Sequence, residues 1–565
     1  MHYRFALIAL FFWIISVPEL SAQVASPIPY QDAVISSADH YATEAGLEIL
    51  QKGGNAVDAA IAIQFALAVT MPSAGNIGGG GFMVLRLSNG EIKTLDFREK
   101  APANATRNMF LDDDGNYVPD KSRIGGLASG VPGTVDGMIS ALERYGTLPL
   151  EVIMEPAIAL ANGGFRLRHS HAESLNRYAK QLAEFESSRE IFLRPDGTNW
   201  REGHLLIQHE LGETLERIAR VGRDGFYSGI TARLIVQELQ RQGGVMTLRD
   251  LRNYSSEWRN PLRAHYMGYD FHMMPPPSSG GVVMKQVLSK IGELNPDETG
   301  INSSGYIHLL SEAFRRAFAD RNYYLGDPDF TDIPLETLMS ETYLDHRFSD
   351  FSPDRATPSN DIEHGSVQPY EEGPETTHFS VVDRDGNTVA VTTTLNGSYG
   401  SYVTVSGAGF LLNNEMDDFS AKPGEPNMFG LIGAEANAVE PNKRMLSSMS
   451  PTIVTQNGEV RMVAGAAGGP RIITSTLQNI LNVIAFDMNA TEAISTPRFH
   501  HQWLPDRIDH ESLAITSDTA KLLRNKGHEL RLTRDIARVH LIVIDEDGWR
   551  TGAADPRGDG SVKGY

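Results

Sequence analysis

Four segments of this chain share one form: strand-like residues, an Asn-Gly or Asp-Gly pair, then more strand-like residues. They are FMVLRLSNGEIKTLDF from Phe82, HFSVVDRDGNTVAV from His378, TIVTQNGEVRMVAG from Thr452 and HLIVIDEDGWRTGAAD from His540. Glycine after Asn or Asp supplies the positive φ that a tight hairpin turn requires, so each segment predicts an antiparallel hairpin. Hairpins spread this widely commit the chain to a core of antiparallel sheet.

Helical patterns lie between them. Residues 39–52 place apolar side chains at helical spacing and stop at Gly53-Gly54, where Asn55 can cap a second helix over 56–69. Thr134–Tyr145 and Ile472–Phe486 repeat the pattern. The stretch AVDAAIAIQFALAV from Ala56 is apolar nearly all round apart from Asp58 and Gln64, which predicts a helix sandwiched in the core rather than lying on a surface. Hairpins and apolar helices in this order predict an α+β architecture, with helices covering both outer faces of stacked sheets. No fixed-period repeat points to a solenoid. The 565 residues suffice for one large multilayer domain or two or three ordinary ones.

Charge narrows the partners. With 71 acidic and 50 basic residues the net charge is -21, which repels a phosphate backbone and argues against nucleic acid. There is no cysteine, so disulfides, thiolate catalysis and thiolate metal ligation are all excluded. At the N-terminus, Arg4, a 13-residue apolar run from Phe5 to Val17, Pro18 and small residues near Ala22 have the layout of a secretory signal over 1–22. The run falls short of the roughly 20 residues of a membrane-spanning helix, and the competing reading is an uncleaved anchor.

Residues 351–375 contain four prolines and six acidic residues with few large apolar ones, and they predict a flexible linker that stops at Thr376. An internal threonine is a poor nucleophile. If the Glu375-Thr376 bond is cut, however, the new α-amino group, with a pKa near ~8, lies beside the hydroxyl of the same residue and can take its proton. Thr376 could make that cut itself by attacking the Glu375 carbonyl. The alternative is that Thr376 and Thr377 are simply good strand formers.

An acyl-transfer site also needs donors for an oxyanion. In AGAAGGPRIITSTL, Gly468 and Gly469 end a strand and Pro470 can open a helix, aiming backbone N–H groups into a cleft; the plainer reading is a turn. Gly78 to Gly81 lack the spacing of a dinucleotide site. His500-His501 and the pair His169 and His171 lack zinc-protease spacing and read as structural or hydrogen-bonding histidines. Glu415, Asp417 and Asp418 in LLNNEMDDFS fit a solvated loop, a calcium contact or an ammonium pocket.

Taken in order, DFREKAP, GLASGVPGTVDG, FADRNYYLGDPDF, PETTHFSVVDRDGN, VTTTLN, LLNNEMDDFSAKPG, PNKRMLSSMSPTIV, GAAGGPRIIT and PRFHHQWLPD resemble the gamma-glutamyltranspeptidase family from about residue 30 to the C-terminus. That family belongs to the N-terminal nucleophile hydrolases. The resemblance implies an αββα four-layer sandwich and self-cleavage of one precursor into a large subunit, 23–375, and a small subunit, 376–565, that stay together as a heterodimer.

It also implies roles. Thr376 is the new N-terminal nucleophile, and Thr394 bonds it and assists processing. Arg98 pairs with a substrate α-carboxylate, with Ser447 and Ser448 as hydroxyl partners, while Asn396, Glu415 and Asp418 surround the α-ammonium. Gly468 and Gly469 form the oxyanion hole. The implied donor is glutathione or another γ-glutamyl compound, the acceptor is water, an amino acid or a peptide, and no metal or organic cofactor is required. Position 415 is Glu where some bacterial members carry Gln, and Phe429 stands where the covering loop, about 423–444, is expected to have Tyr. Two rival readings remain: an acylase acting on glutaryl or cephalosporin side chains, and a self-cleaved binding protein without turnover.

Overall fold

The computed structural model describes residues 26–292, 294–362 and 376–565. All four segments form antiparallel hairpins there: Gly80–Arg86 with Ile92–Phe97, Thr377–Val382 with Thr388–Thr394, Thr452–Gln456 with Glu459–Ala467, and Arg538–Ile544 with Arg550–Ala554. Only Asn457-Gly458 has positive φ at both residues, 54° and 86°, as a two-residue turn demands. The other three turns are longer loops, 87–91, 383–387 and 545–549, in which glycine alone is left-handed. An aspartate can close such a loop: the Asp383 carboxylate accepts from the amides of Asp385 and Asn387 at 3.0 and 2.9 Å.

The hairpins assemble into two seven-stranded sheets. The first runs Ser561–Gly564, Val34–Ser37, Thr377–Val382, Thr388–Thr394, Gly80–Arg86, Ile92–Phe97, Glu257–Arg259. The second runs Pro29–Tyr30, Arg550–Ala554, Arg538–Ile544, Glu459–Ala467, Thr452–Gln456, Tyr269–Met273, Leu262–Tyr266. Strand periodicity then sorts side chains into layers. Val34, Val84, Val382 and Ala390 of the first sheet meet Ile453, Val463 and Ile542 of the second in a narrow core between the sheets. The alternate residues Met83, Phe379, Val381 and Val391 face outward and pack with Ile61, Ile63 and Phe65. On the opposite outer face, Met462, Ala464 and Leu541 pack with Ile473, Leu477 and Ile480. The result is helix, sheet, sheet, helix.

The helices obey their caps. His40–Gln51 begins where the Asp39 side chain accepts from two backbone amides, and Ala56–Thr70 begins at a capping box in which Asn55 and Asp58 satisfy each other's backbone N–H. Thr134–Tyr145 forms as expected, and the later helix covers Arg471–Ile484. Every residue of Ala56–Thr70 is buried, and each of its three polar side chains finds a partner: Gln64 Nε2 donates to the Asn76 carbonyl at 2.9 Å, Asp58 accepts from the Thr147 amide at 2.9 Å and Thr70 Oγ1 donates to Asp39 Oδ1 at 2.8 Å.

One expectation needs correcting. Flexibility over 351–375 fails for 351–362, because polar groups of this piece find partners on the folded body. Ser359 Oγ donates to the Trp503 carbonyl at 2.6 Å, the Ser359 amide donates to Asp506 at 2.7 Å, and the Ala356 amide donates to the Lys526 carbonyl at 2.7 Å. Proline and charge content flagged disorder, but a short polar segment is ordered when enough of its hydrogen bonds are made. The remainder of the linker, Glu375 of the cleavage bond and the signal at 1–22 lie outside the described residues. Among the described residues no helix is long and apolar enough to cross a membrane.

Candidate active site

Thr377 pairs with Thr393 across the central hairpin, which puts Thr376, one residue ahead of the strand, opposite Thr394. Thr376 Oγ1 donates to Thr394 Oγ1 at 3.5 Å, and Thr394 Oγ1 also accepts from the Asn396 amide at 2.8 Å. Behind this rung the sheet is clamped. Asn76 Nδ2 donates to Thr393 Oγ1 at 3.0 Å and to the Thr394 carbonyl at 2.9 Å, while Asn76 Oδ1 accepts from Thr134 Oγ1 at 2.6 Å. The run Gly78 to Gly81 lets backbone approach here: a Cβ on Gly79 would lie 2.1 Å from the Thr394 carbonyl oxygen and one on Gly81 2.3 Å from that of Thr392. These glycines serve strand packing and open a strand, not a helix.

His378, two residues along the strand and so on the same face as Thr376, lies between the sheets. Its nitrogens bond Thr392 Oγ1 at 2.8 Å and Ser380 Oγ at 3.0 Å, and burial holds its pKa well below the usual imidazole range. Both of its nitrogens are engaged by Thr392 and Ser380, so the Thr376 hydroxyl receives no histidine base from its own strand.

Thr376, Thr394 and Asn396 line one cavity. Arg98, Glu415, Asp418, Ser447, Ser448 and Gly469 line it too. Gly468, one residue before, does not. The guanidinium of Arg98 is fully buried and faces both acids directly: Nη1 donates to Glu415 Oε1 and Nη2 to Asp418 Oδ2, the latter at 2.5 Å. Arg98, expected to hold a substrate carboxylate, and Glu415 and Asp418, expected to surround its ammonium, are therefore paired in one cluster. Burial raises the Glu415 and Asp418 carboxyls above the ordinary range, with Arg98 opposing it in both. Glu99, buried beside them with Oε2 3.5 Å from Arg98 Nη1, is pushed up to about 7 by burial.

Ser448 Oγ accepts from Arg321 Nη2 at 3.2 Å, and the Ser447 backbone is pinned because its carbonyl accepts from the Ser279 amide and hydroxyl, each at 2.7 Å. Burial lowers Arg321 to about 10, which leaves it charged at neutral pH. At the other end, Gly468 and Gly469 follow the strand Glu459–Ala467 and precede the helix Arg471–Ile484, whose N-cap is Pro470. Both have positive φ, 141° and 56°, and a Cβ on Gly469 would touch Phe429 Cδ1 at 2.9 Å.

The loop over the site carries that phenyl ring. Lacking a hydroxyl, Phe429 is held through its backbone: its amide donates to Asn427 Oδ1 at 2.9 Å and its carbonyl accepts from Gln502 Nε2 at 3.3 Å. Asn427 Nδ2 in turn donates to Asp418 Oδ1 at 3.2 Å, coupling the loop to the charged cluster.

Sequence reasoning missed Asn76, Glu99 and Arg321. Glu99 and Arg321 sit inside the segments DFREKAP and FADRNYYLGDPDF, where a charged residue amid buried neighbours was the available signal. Histidine pairs behave as hydrogen-bonding groups. His500 bonds Thr474 Oγ1 and Gln502 Oε1, both at 2.8 Å. A metal-like trio, His308, Glu312 and His528, occurs among the described residues, yet Glu312 is committed to Arg315 and Arg316 and His308 Nε2 to the Ser352 carbonyl at 2.8 Å.

Two stacked antiparallel sheets between helical layers, with a threonine at the head of a central strand beside a cavity that charged and hydroxyl side chains line, define the class of N-terminal nucleophile hydrolases. The sequence profile described as Gamma-glutamyltranspeptidase matches residues 42–565, and the chain belongs to that family. It is 46% identical over 544 residues to the "Glutathione hydrolase proenzyme" of Escherichia coli (strain K12), covering 96% of this chain and 93% of that protein. Among solved structures, a cephalosporin acylase from Bacillus halodurans superposes with TM-score 0.83 at 26% identity, covering 98% of this chain and 99% of that one. The Helicobacter pylori gamma-glutamyltranspeptidase superposes with TM-score 0.57 at 44% identity, over 60% of this chain and 97% of that one.

Proposed function

We propose that the protein is an exported, self-processing γ-glutamyltransferase and glutathione hydrolase. The observation that carries this reading is the convergence of Thr376, the Arg98–Glu415–Asp418 cluster and Gly469 on one cavity. In processing, Thr376 Oγ attacks the Glu375 carbonyl carbon, the C–N bond breaks as the C–O bond forms, and water hydrolyses the ester to leave a free α-amine on Thr376.

In turnover that amine takes the hydroxyl proton while Oγ attacks the γ-carbonyl of the donor. The oxyanion is stabilised by backbone N–H groups at Gly468 and Gly469, and the proton passes to the departing amine. Water or an amine then takes the glutamyl group from the ester. A zwitterionic head group fits the cluster by exchange, its carboxylate joining the fork of Arg98 as its ammonium takes over the carboxylates Arg98 releases. Ser447 and Ser448 offer hydroxyls to the carboxylate, and Asn396 a carbonyl to the ammonium.

Intact mass and N-terminal sequencing of purified protein test the reading. A small fragment beginning TTHFS that is labelled by a γ-glutamyl donor supports it, and an uncut chain that turns over glutathione overturns it. The resemblance in fold to a cephalosporin acylase favours a second reading, in which a glutaryl amide is the substrate. A glutaryl group brings no ammonium to Glu415 and Asp418, so competition between glutathione and a glutaryl amide separates the two.

A further inference from the structure

Arg321 holds a charge inside the protein with no anion to meet it. The side chain leaves the last turn of the helix Ser304–Tyr324 and is only 4% exposed. Among the described residues no carboxylate comes within ion-pair distance. Its hydrogen bonds run from Nε to Ser279 Oγ at 3.0 Å, from Nη1 to Asn322 Oδ1 at 2.8 Å and from Nη2 to Ser448 Oγ at 3.2 Å, all neutral acceptors. Burial lowers its pKa to about 10, with Asp418 opposing the shift from farther away, so the group is still a cation at neutral pH. Arg98, by contrast, is already matched by Glu415 and Asp418. A buried charge without a counterion is costly to keep.

The contacts of Arg321 give that charge a use. Ser279 Oγ, which accepts from Arg321, donates to the Ser447 carbonyl at 2.7 Å. One guanidinium therefore holds the backbone of Ser447 through Ser279 and the side chain of Ser448 directly. Both serines line the active-site cavity, and Arg321 stands behind them. The Ser447 hydroxyl accepts from the Met449 amide at 3.2 Å as that of Ser448 accepts from Arg321, and neither donates to another residue among those described. Each hydroxyl has a donor at its back and a proton without a protein acceptor, which suits the pair to an anion in the cavity.

We propose that Arg321 is a positioning residue for the α-carboxylate of the donor: it orients Ser448 as a hydrogen-bond donor to that group, and the carboxylate is the anion that its buried charge lacks. The inference rests on the cavity taking a γ-glutamyl head group. Recognition of the carboxylate then needs two arginines, Arg98 meeting the group and Arg321 acting through Ser448.

The test is a cycle on kcat/KM for γ-glutamyl-4-nitroanilide, with cleavage of each variant verified by intact mass. Arg321→Gln should lower kcat/KM about tenfold, chiefly through KM, because the carboxylate is held alike in the ground and transition states. In the Ser448→Ala background the same change should cost about threefold or less, since the hydroxyl it works through is gone. Arg321→Lys, which keeps a charged donor, should recover part of the loss where Ser448 is present. Equal losses with and without Ser448 would mean that Arg321 only supports the fold, and they overturn the proposal. Should Arg321→Gln fail to mature, the cycle is run with Arg321→Lys, whose smaller loss must likewise shrink in Ser448→Ala; a loss that persists there unchanged overturns the proposal. Wild type that matures but leaves the anilide uncleaved overturns the γ-glutamyl reading instead, so the two failures are told apart.

Discussion

Thr376 Oγ1 lies 3.5 Å from Thr394 Oγ1, a distance fixed by the register that pairs Thr377 with Thr393. Thr394 Oγ1 also accepts from the Asn396 amide at 2.8 Å, which ties this hydroxyl to the backbone that leaves the strand and holds it beside Thr376. Thr376→Ala should leave a single uncut chain. Thr394→Ala should still cleave, about tenfold or more slowly, for want of one hydrogen bond in the reacting geometry. Time courses followed by intact mass decide this, and a Thr394→Ala chain that matures at the wild-type rate would remove Thr394 from the mechanism.

Arg98 makes its contacts through a planar fork: Nη1 to Glu415, Nη2 to Asp418, and Nε to the Met445 carbonyl at 3.3 Å. Lysine offers a single charged centre and cannot serve three directions at once. Arg98→Lys should therefore lower kcat/KM for a γ-glutamyl donor by about 10²-fold or more, equivalent to about 3 kcal/mol for a buried charged group left badly paired. Steady-state kinetics on protein confirmed to be cleaved provide the measurement. Activity within threefold of wild type would count against Arg98 as the carboxylate ligand.

Glu99 titrates against the fold. Burial raises its pKa from the ordinary 4.5 to about 7, so the folded protein binds a proton that the unfolded chain has released. Its favourable contribution is complete below pH 4.5 and is lost as pH rises through about 7. Glu99→Gln, which mimics the protonated form at every pH, should match wild type near pH 4.5 and exceed it by up to about 3 kcal/mol by pH 8, at 1.36 kcal/mol per unit. Urea titrations across this range would expose the error if the two proteins ran parallel.

How much of this was legible in the sequence depends on the range of the interaction. The hairpins, the Asn55 cap and the helix Thr134–Tyr145 are local, and the chain carries their signals within a few residues of each element. Thr376 was legible because the polar run and the strand meet there, and the residues of the charged cluster were named through the family's motifs. Neither route reveals that Arg98 touches Glu415 across more than three hundred positions, or that Asn76 clamps Thr394; such pairs are set by how the sheets stack. The same limit explains 351–362, where composition reported few apolar residues but could not report that Trp503 and Asp506 would accept its hydrogen bonds and Lys526 its backbone.

Gly465 faces His378 across the space between the sheets, where a Cβ on Gly465 would come within 2.3 Å of the imidazole Cε1. His378 cannot step aside without giving up Thr392 and Ser380, and His540 stacks 6.4 Å away. Gly465→Ala should then cost about 1–3 kcal/mol through overpacking and should slow maturation, because His378 is two residues from Thr376 on the strand that places it. Replacing His378 by Ser opens the space but strands the Thr392 and Ser380 hydroxyls, so it too should destabilise when made alone. The two changes share one contact, and the double variant should be more stable than the sum of the single losses by about 1 kcal/mol or more. Strict additivity in a denaturation cycle would show that the inter-sheet contact between Gly465 and His378 does not set the position of the catalytic strand.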